Sequence, residues 1–176
     1  MPKILIVVDF QNDFVTGTLG SKAAQAIVPN VQAKIKEYQD HGEQIIFTRD
    51  THYEDYLETQ EGKFLPVKHC IVGTEGWNIY DGIDKGCRNC TYVDKNTFGW
   101  WDWWNELNHF MDNINEIEIC GLCTDICVVS NALILKASFP EIKMTVDAQC
   151  CTGTSEEAHK AALLTMKSCQ INIINE

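Results

Sequence analysis

Cys127 has the clearest chemical opportunity in this chain. It lies in Ile117-Glu118-Ile119-Cys120-Gly121-Leu122-Cys123-Thr124-Asp125-Ile126-Cys127-Val128-Val129, a strand-like run that breaks at glycine and restarts as a helix with Cys127 in its first turn. A thiol there faces backbone N–H groups that lack intrahelical partners and the positive end of the helix dipole, both of which favour the thiolate. Any one cysteine is more ordinarily an inert packing residue, so a nucleophile needs partners. Asp9, closing the run Ile4–Val8, and Lys95, following Thr91–Asp94, can supply them. A carboxylate can take the thiol proton while an ammonium holds the resulting thiolate, so the sulfur is activated without histidine. Singly, Asp9 reads as a turn former and Lys95 as a solvated lysine; gathered beside Cys127 they read as a catalytic set.

A second cluster lies in Asp50-Thr51-His52 and His69-Cys70. An Asp and a His two residues apart on extended backbone can present oxygen and nitrogen to one cation, and His69 can close a third corner, leaving positions open for water or substrate. Glu58 and Glu61 are further carboxylates that spacing alone does not select. A competing metal reading comes from Cys87-Arg88-Asn89-Cys90 and Cys120-Gly121-Leu122-Cys123, two C-x-x-C pairs with the outline of a zinc ribbon in a non-catalytic binding protein. Cys120 sits badly for it, inside an apolar run rather than on a tight polar turn. The nine cysteines, an odd number without a secretory signal, read as reduced thiols.

Strands and helices must bring these side chains together. Apolar runs predict strands at Lys3–Asp9, Glu43–Thr48, Thr91–Asp94, Glu116–Gly121, Lys143–Val146 and Ile171–Ile174. Helical spacing predicts helices at Ala23–His41, Trp101–Asn113, Thr124–Ser138 and Ser155–Ser168, the last opened by a capping box of Thr154 and Glu157. The stretch from Arg49 to Gly76 lacks periodicity and reads as a long working loop with short helical turns. Apolar strands alternating with helices predict an α/β fold: a three-layer α/β/α sandwich with a mostly parallel, Rossmann-like six-stranded sheet. Such sheets collect ligands at the carboxyl ends of their strands, where Asp9, Asp50, Lys95 and Cys127 would all gather.

Composition narrows the function classes. The 176 residues, 45% hydrophobic, suit one domain spanning 1–176. A formal charge of -11 disfavours nucleic acid and anionic membrane surfaces as partners. The opening apolar run ends at Asp9, too early for a signal h-region or a membrane span, so the expectation is an untargeted cytoplasmic protein. Four of the five tryptophans fall within Phe98–Trp104, too dense for one helix face, and suggest a subunit interface or pocket mouth beside ordinary core packing.

Five segments in order resemble the isochorismatase-like cysteine hydrolases, nicotinamidases in particular: Asp9-Phe10-Gln11-Asn12-Asp13-Phe14, Asp50-x-His52, His69–Gly76, Lys95-Asn96-Thr97-Phe98 and Gly121–Val128. The resemblance implies that Asp9, Lys95 and Cys127 hydrolyse a small amide through a thioester. It also implies a cis peptide before Cys123 and an oxyanion hole from the N–H groups of Cys123 and Cys127. Cys123 stands where the family commonly has a small residue such as alanine, which spares the backbone N–H. Also implied is a divalent metal, zinc with iron or manganese as alternatives, on Asp50, His52 and His69, with Glu61 nearest to the further glutamate of some members. In nicotinamidases that metal meets the substrate's ring nitrogen, and Phe14 with Phe64 or Leu65 become candidate walls for a flat ring. The segment Pro66-Val67-Lys68-His69 has one residue more than the usual pattern, a departure that bears on nicotinamide more than on hydrolysis. Another small amide or an N-carbamoyl compound is the alternative substrate. Isochorismatase's own vinyl-ether hydrolysis uses no nucleophilic cysteine and is disfavoured. The family's frequent assembly implies a homo-oligomer.

Overall fold

The computed structural model describes residues 2–110 and 114–176. Its strands are β1 (Lys3–Val8), β2 (Gln44–Asp50), β3 (Cys90–Lys95), β4 (Glu116–Leu122), β5 (Lys143–Thr152) and β6 (Asn172–Ile174). They form one sheet in the order β3-β2-β1-β4-β5-β6, with every pairing parallel. The α-helices are α1 (Asn12–Val15), α2 (Lys22–Asp40), α3 (Gln60–Phe64), α4 (Trp103–Leu107), α5 (Val129–Ser138) and α6 (Glu156–Ser168). Helix α2 lies against β2, β4 and β5, while α5 packs with α4 and α6, which completes the expected helix–sheet–helix layers. Among the described residues no helix is long and apolar enough to cross a membrane.

The central strands are parallel because their residues need cover on both faces. Ile4–Val8 of β1 and all of β4 are buried, and each fully buried Ile, Leu or Val contributes about 1.5–3 kcal/mol over its exposed state. Helix α2 starts where the Ser21 hydroxyl accepts from the Ala24 N–H at 3.0 Å, and turns Val31, Ile35 and Tyr38 inward. Its polar contacts fix its register on the sheet. Lys34 pairs with Glu118 at 2.6 Å and Asp147 at 3.1 Å, and the Tyr38 hydroxyl donates to Glu118 at 2.7 Å.

From β1 the chain adds strands in one direction, through β2 to β3; from β4 it adds them in the other, so the order reverses between β1 and β4. Ligand crevices open at the carboxyl ends of strands at such a reversal. Val8 pairs with Gly121 there. Gly121 has φ +125, and a Cβ on it would collide with the Val8 carbonyl, so only glycine admits this close approach. The following Leu122–Cys123 peptide is cis, as the resemblance implied.

Several elements differ from expectation. Strands β2 and β3 run on through Asp50 and Lys95, which therefore pair with each other in the sheet rather than following it. Strand β5 extends to Thr152 across a register shift opposite Ile119–Gly121. The cysteine helix begins as a π-helical turn, Thr124–Val128, before α5. Helix α6 is capped by Ser155, whose hydroxyl accepts from Ala158 N–H at 3.1 Å, while Thr154 turns to Asp125 instead. The helix expected over 101–113 is confined to α4 and a 3-10 turn at Asn108–Phe110; residues 111–113 lie outside those described. Cys87 and Cys90 are bonded as a disulfide, so the reading of nine reduced thiols holds for the other seven only. The zinc ribbon fails on placement as well: Cys90 pairs with Ile45 at the start of β2, whereas Cys120 pairs with Val7 at the end of β1.

Gly121→Ala tests the close approach that shapes the crevice. It is expected to lower the unfolding free energy by about 3 kcal/mol in urea denaturation, through a strained φ and the clash with Val8. A loss under about 0.5 kcal/mol would show that β1 and β4 separate there at little cost.

Candidate active site

Asp9, Lys95 and Cys127 meet at the carboxyl edge of the sheet. Asp9 follows β1 with φ 47, and its N–H donates to the Thr48 carbonyl at 3.2 Å and to the Thr48 hydroxyl at 3.1 Å. That hydroxyl donates in turn to Asp9 Oδ1 at 2.6 Å. The other carboxylate oxygen, Oδ2, accepts from Lys95 Nζ at 2.6 Å, and the same ammonium donates to the Thr97 carbonyl at 3.1 Å. Asp9 and Lys95 have no exposed surface, and Cys127 is 6% exposed.

Burial raises the Asp9 carboxyl above its ordinary range despite Lys95, which makes it a better proton acceptor. Burial disfavours the Lys95 ammonium, but Asp9, the Cys127 sulfur and Asp50 outweigh it and keep the lysine charged. Burial also pushes the Cys127 thiol well up, opposed by Lys95 and reinforced by Asp9, which acts on it by charge and as hydrogen-bond acceptor. Burial thus works against the helix start, whose N–H groups favour the thiolate. The thiol stands beside a carboxylate suited to accept a proton from it.

The second cluster assembles as well, and Glu61 joins it. His52 Nε2 lies 3.0 Å from Asp50 Oδ2 and 3.5 Å from Glu61 Oε1; His69 Nε2 lies 3.4 Å and 3.7 Å from the same two atoms. All four donor atoms fall within 4.8 Å of one another. His69 Nδ1 is taken by the Val67 carbonyl at 2.8 Å, which leaves Nε2 for the cluster. Against burial, the two imidazoles hold the Asp50 carboxyl well below the usual range. Burial also opposes a protonated His52, yet Asp50 and Glu61 push it up to about 9. Two imidazoles and two carboxylates so placed fit a divalent cation, which would take the place of the proton. Glu58 is not part of the group.

Cys127 and all four members of the second cluster line one cavity of about 1430 Å³, while Asp9 and Lys95 stay out of its lining, wholly buried. Phe14 lies edge-on to His69 with ring centroids 5.6 Å apart, a wall position. Phe64 is 82% exposed and Leu65 38%, so both stand at the cavity's rim rather than deep inside. Cys123 lines the cavity from the residue before the π-helical turn, four positions before Cys127. The tryptophans divide: Trp103 is wholly buried, whereas Trp101 and Trp104 are exposed at 69% and 56%, leaving the interface expectation to those two.

Four buried polar residues position this site without having stood out in the sequence. Gln11 clamps Asp50, accepting from its N–H at 2.7 Å and donating to its carbonyl at 2.9 Å, and also donates to the Trp77 carbonyl at 2.7 Å. Asp13 accepts from the Cys70 N–H at 2.7 Å, fixing the chain just after His69. Gly76 packs so tightly on that carboxylate that a side chain there would displace it. Asn131 donates to the Cys127 carbonyl at 2.8 Å and accepts from Trp100 N–H and Trp103 Nε1, tying the helix that carries Cys127 to the segment after Lys95. Thr48 holds Asp9, as above. The signal for two of them was present in Asp9–Phe14, whose alternate polar residues each reach a different part of the site.

Gln11→Leu keeps the bulk and removes the three hydrogen bonds of the clamp. Affinity for Co(II), followed by its visible absorbance, is expected to fall about 10- to 100-fold with the far-ultraviolet circular dichroism unchanged. Wild-type affinity in that variant would show that Asp50 is positioned by the strand alone.

Known proteins share this arrangement of elements. Residues 3–175 match the isochorismatase domain family. The nicotinamidase/pyrazinamidase of Mycobacterium tuberculosis is 24% identical over 98% of each chain. The crystal structure of nicotinamidase/pyrazinamidase from Bacillus subtilis superposes with a TM-score of 0.87 at 26% identity, covering 99% of this chain and 100% of that one. The pyrazinamidase of Pyrococcus horikoshii, solved in complex with zinc, has the same fold, with a TM-score of 0.85 at 24% identity over the full length of both. Since the family match runs along nearly the whole chain, the chain belongs to the isochorismatase domain family and is a hydrolase of it.

Proposed function

We propose that this hydrolase converts nicotinamide to nicotinate and ammonia through a thioester on Cys127. The observation that carries the reading is the buried line of Lys95, Asp9 and Cys127, whose cysteine lines the same cavity as the two-imidazole, two-carboxylate cluster. The relatives named for nicotinamide hydrolysis support the choice of amide.

In this reading the amide carbon sits at Cys127 Sγ with its ring toward Asp50, His52, Glu61 and His69. A divalent metal held by those four, zinc by preference, would offer a Lewis-acid contact that orients the ring through its nitrogen. Phe14 bounds the ring on one side. As the Sγ–C bond forms, the thiol proton passes to Asp9, and Lys95 stabilises the negative charge gathered on sulfur and carboxylate. The amide oxygen turns to the N–H groups of Cys123 and Cys127, donors fixed in place before reaction begins. Asp9 then gives its proton to the departing nitrogen, and the C–N bond breaks. Water, deprotonated by the same carboxylate, releases the acid and restores the thiol. One carboxylate with a raised affinity for protons thus serves both halves of the reaction, while the ammonium stays charged throughout.

Ammonia release from nicotinamide by the metal-replete protein tests the reading. Cys127→Ala is expected to lower kcat by about 10³-fold or more. His69→Ala is expected to raise KM more than it lowers kcat, since the ring contact exists in ground and transition state alike. A fully metal-loaded wild type that releases no ammonia from nicotinamide would move the substrate to another small amide or an N-carbamoyl compound.

A further inference from the structure

The cavity is larger than one pyridine ring and its carboxamide require. Its volume of about 1430 Å³ exceeds the roughly 300–1,000 Å³ typical of sites for drug-sized ligands. The metal-donor cluster occupies the end near β2, and Cys127 stands at the end of β4. Beyond Cys127 the cavity continues past the end of β5 to the starts of α2 and α6, where Ser21, Ala23, Thr152, Gly153, Ser155 and His159 line it. Apart from His159 these residues are small or hydroxyl-bearing, Ser21, Ala23 and Ser155 are exposed, and the exposed Glu156 carboxylate lines the same stretch, which is therefore an open groove. No Lys or Arg is among the lining residues.

This chamber is built into the fold rather than left by a loose loop. His159 shares a hydrogen bond of 2.8 Å with the Thr124 hydroxyl, and Asp125 accepts from Thr154 N–H at 2.8 Å. The start of α6 is thereby fastened to the π-helical turn that carries Cys127.

Amide stereochemistry decides what would enter it. A secondary amide prefers the trans form, in which the nitrogen substituent lies away from the acyl group and on the same side as the carbonyl oxygen. With the ring toward Asp50, His52 and His69 and the oxygen toward the Cys123 and Cys127 N–H groups, that substituent runs past Cys123 into the far chamber. Resting on the function proposed above, we infer that the enzyme also hydrolyses N-substituted aromatic carboxamides whose substituent is short, neutral and apolar or hydroxylated. The Cys127 Sγ–C bond forms, the C–N bond breaks, and the thiol proton reaches the nitrogen through Asp9, so the leaving group departs as a primary amine. Water then displaces the sulfur and yields the same acid. An anionic substituent meets no Lys or Arg among the described lining residues; it meets the Glu156 carboxylate at the groove and a chain of formal charge -11.

The test follows nicotinate formation by the metal-loaded enzyme from nicotinamide, N-(2-hydroxyethyl)nicotinamide and N-(carboxymethyl)nicotinamide. The first two are expected to be cleaved, the carboxymethyl amide at least about tenfold more slowly than the hydroxyethyl one. Ala23→Trp sets an indole on the exposed rim of the groove at the start of α2 and is expected to cut kcat/KM for the hydroxyethyl amide at least about tenfold, leaving nicotinamide within about twofold. Cleavage of nicotinamide without cleavage of the hydroxyethyl amide overturns the inference and leaves the parent reading intact. An enzyme inactive on both overturns the two together. Equal losses on both amides in Ala23→Trp overturn the placement of the substituent and with it the inference.

Discussion

The pairing of Asp9 with Lys95, wholly withdrawn from water, sets the terms for everything around it. Two opposite charges in a low-dielectric interior persist only when each is held by the other and by further hydrogen bonds, and removing one partner from such a pair costs about 3–5 kcal/mol. Here the further bonds come from the Thr48 hydroxyl and the Thr97 carbonyl. Asp9 closes β1 and Lys95 ends β3, with β2 between them, so the pair forms only when three strands share one register. The parallel sheet is thereby tied to the chemistry: a slip of one residue would turn Lys95 to the opposite face and strand the carboxylate.

The same pair governs the thiol. Cys127 stands in a buried site, and burial alone would leave it an inert cysteine. Next to a carboxylate whose proton affinity burial has raised, it instead has a path for its proton at the moment of attack. Lys95 keeps the total charge of the trio from becoming prohibitive. The metal-donor cluster depends on the same edge, because Asp50 pairs with Lys95 in the sheet and Gln11, two residues after Asp9, grips the Asp50 backbone. The Asp9 and Asp50 carboxylates are thus positioned by adjoining stretches of one short segment.

Much of this was legible in the residues, for physical reasons that differ by element. Strands β1 and β4 announce themselves because parallel, doubly covered strands must be runs of Ile, Val and Leu. Asp9, Asp50 and Lys95 stand out as charges at the ends of such runs. Strand β5 was read too short because Gln149 and the adjacent free Cys150 and Cys151 carry no clear alternation, and its end is set by pairing with β4 rather than by its own pattern. Thr48 and Asn131 were invisible because an uncharged polar residue advertises nothing until its partners, 39 and 33 positions away for their most distant bonds, are folded against it. The Cys87–Cys90 spacing suits a metal knuckle and a disulfide equally well, and only three-dimensional placement separates them. The helix start that favours a thiolate at Cys127 is visible in sequence, whereas the depth of burial that opposes it is not.

The central claim is that Asp9 carries the proton between Cys127 and the leaving nitrogen. It is tested most directly by rapid acid quench of the first turnover on nicotinamide, with mass mapping of the acylated residue in the wild type and in folded, metal-loaded Asp9→Asn. The account predicts a nicotinoyl group on Cys127 in the wild type, formed about 10²- to 10⁴-fold more slowly in the variant. Acylation of Cys127 at the wild-type rate without the Asp9 carboxylate would contradict it.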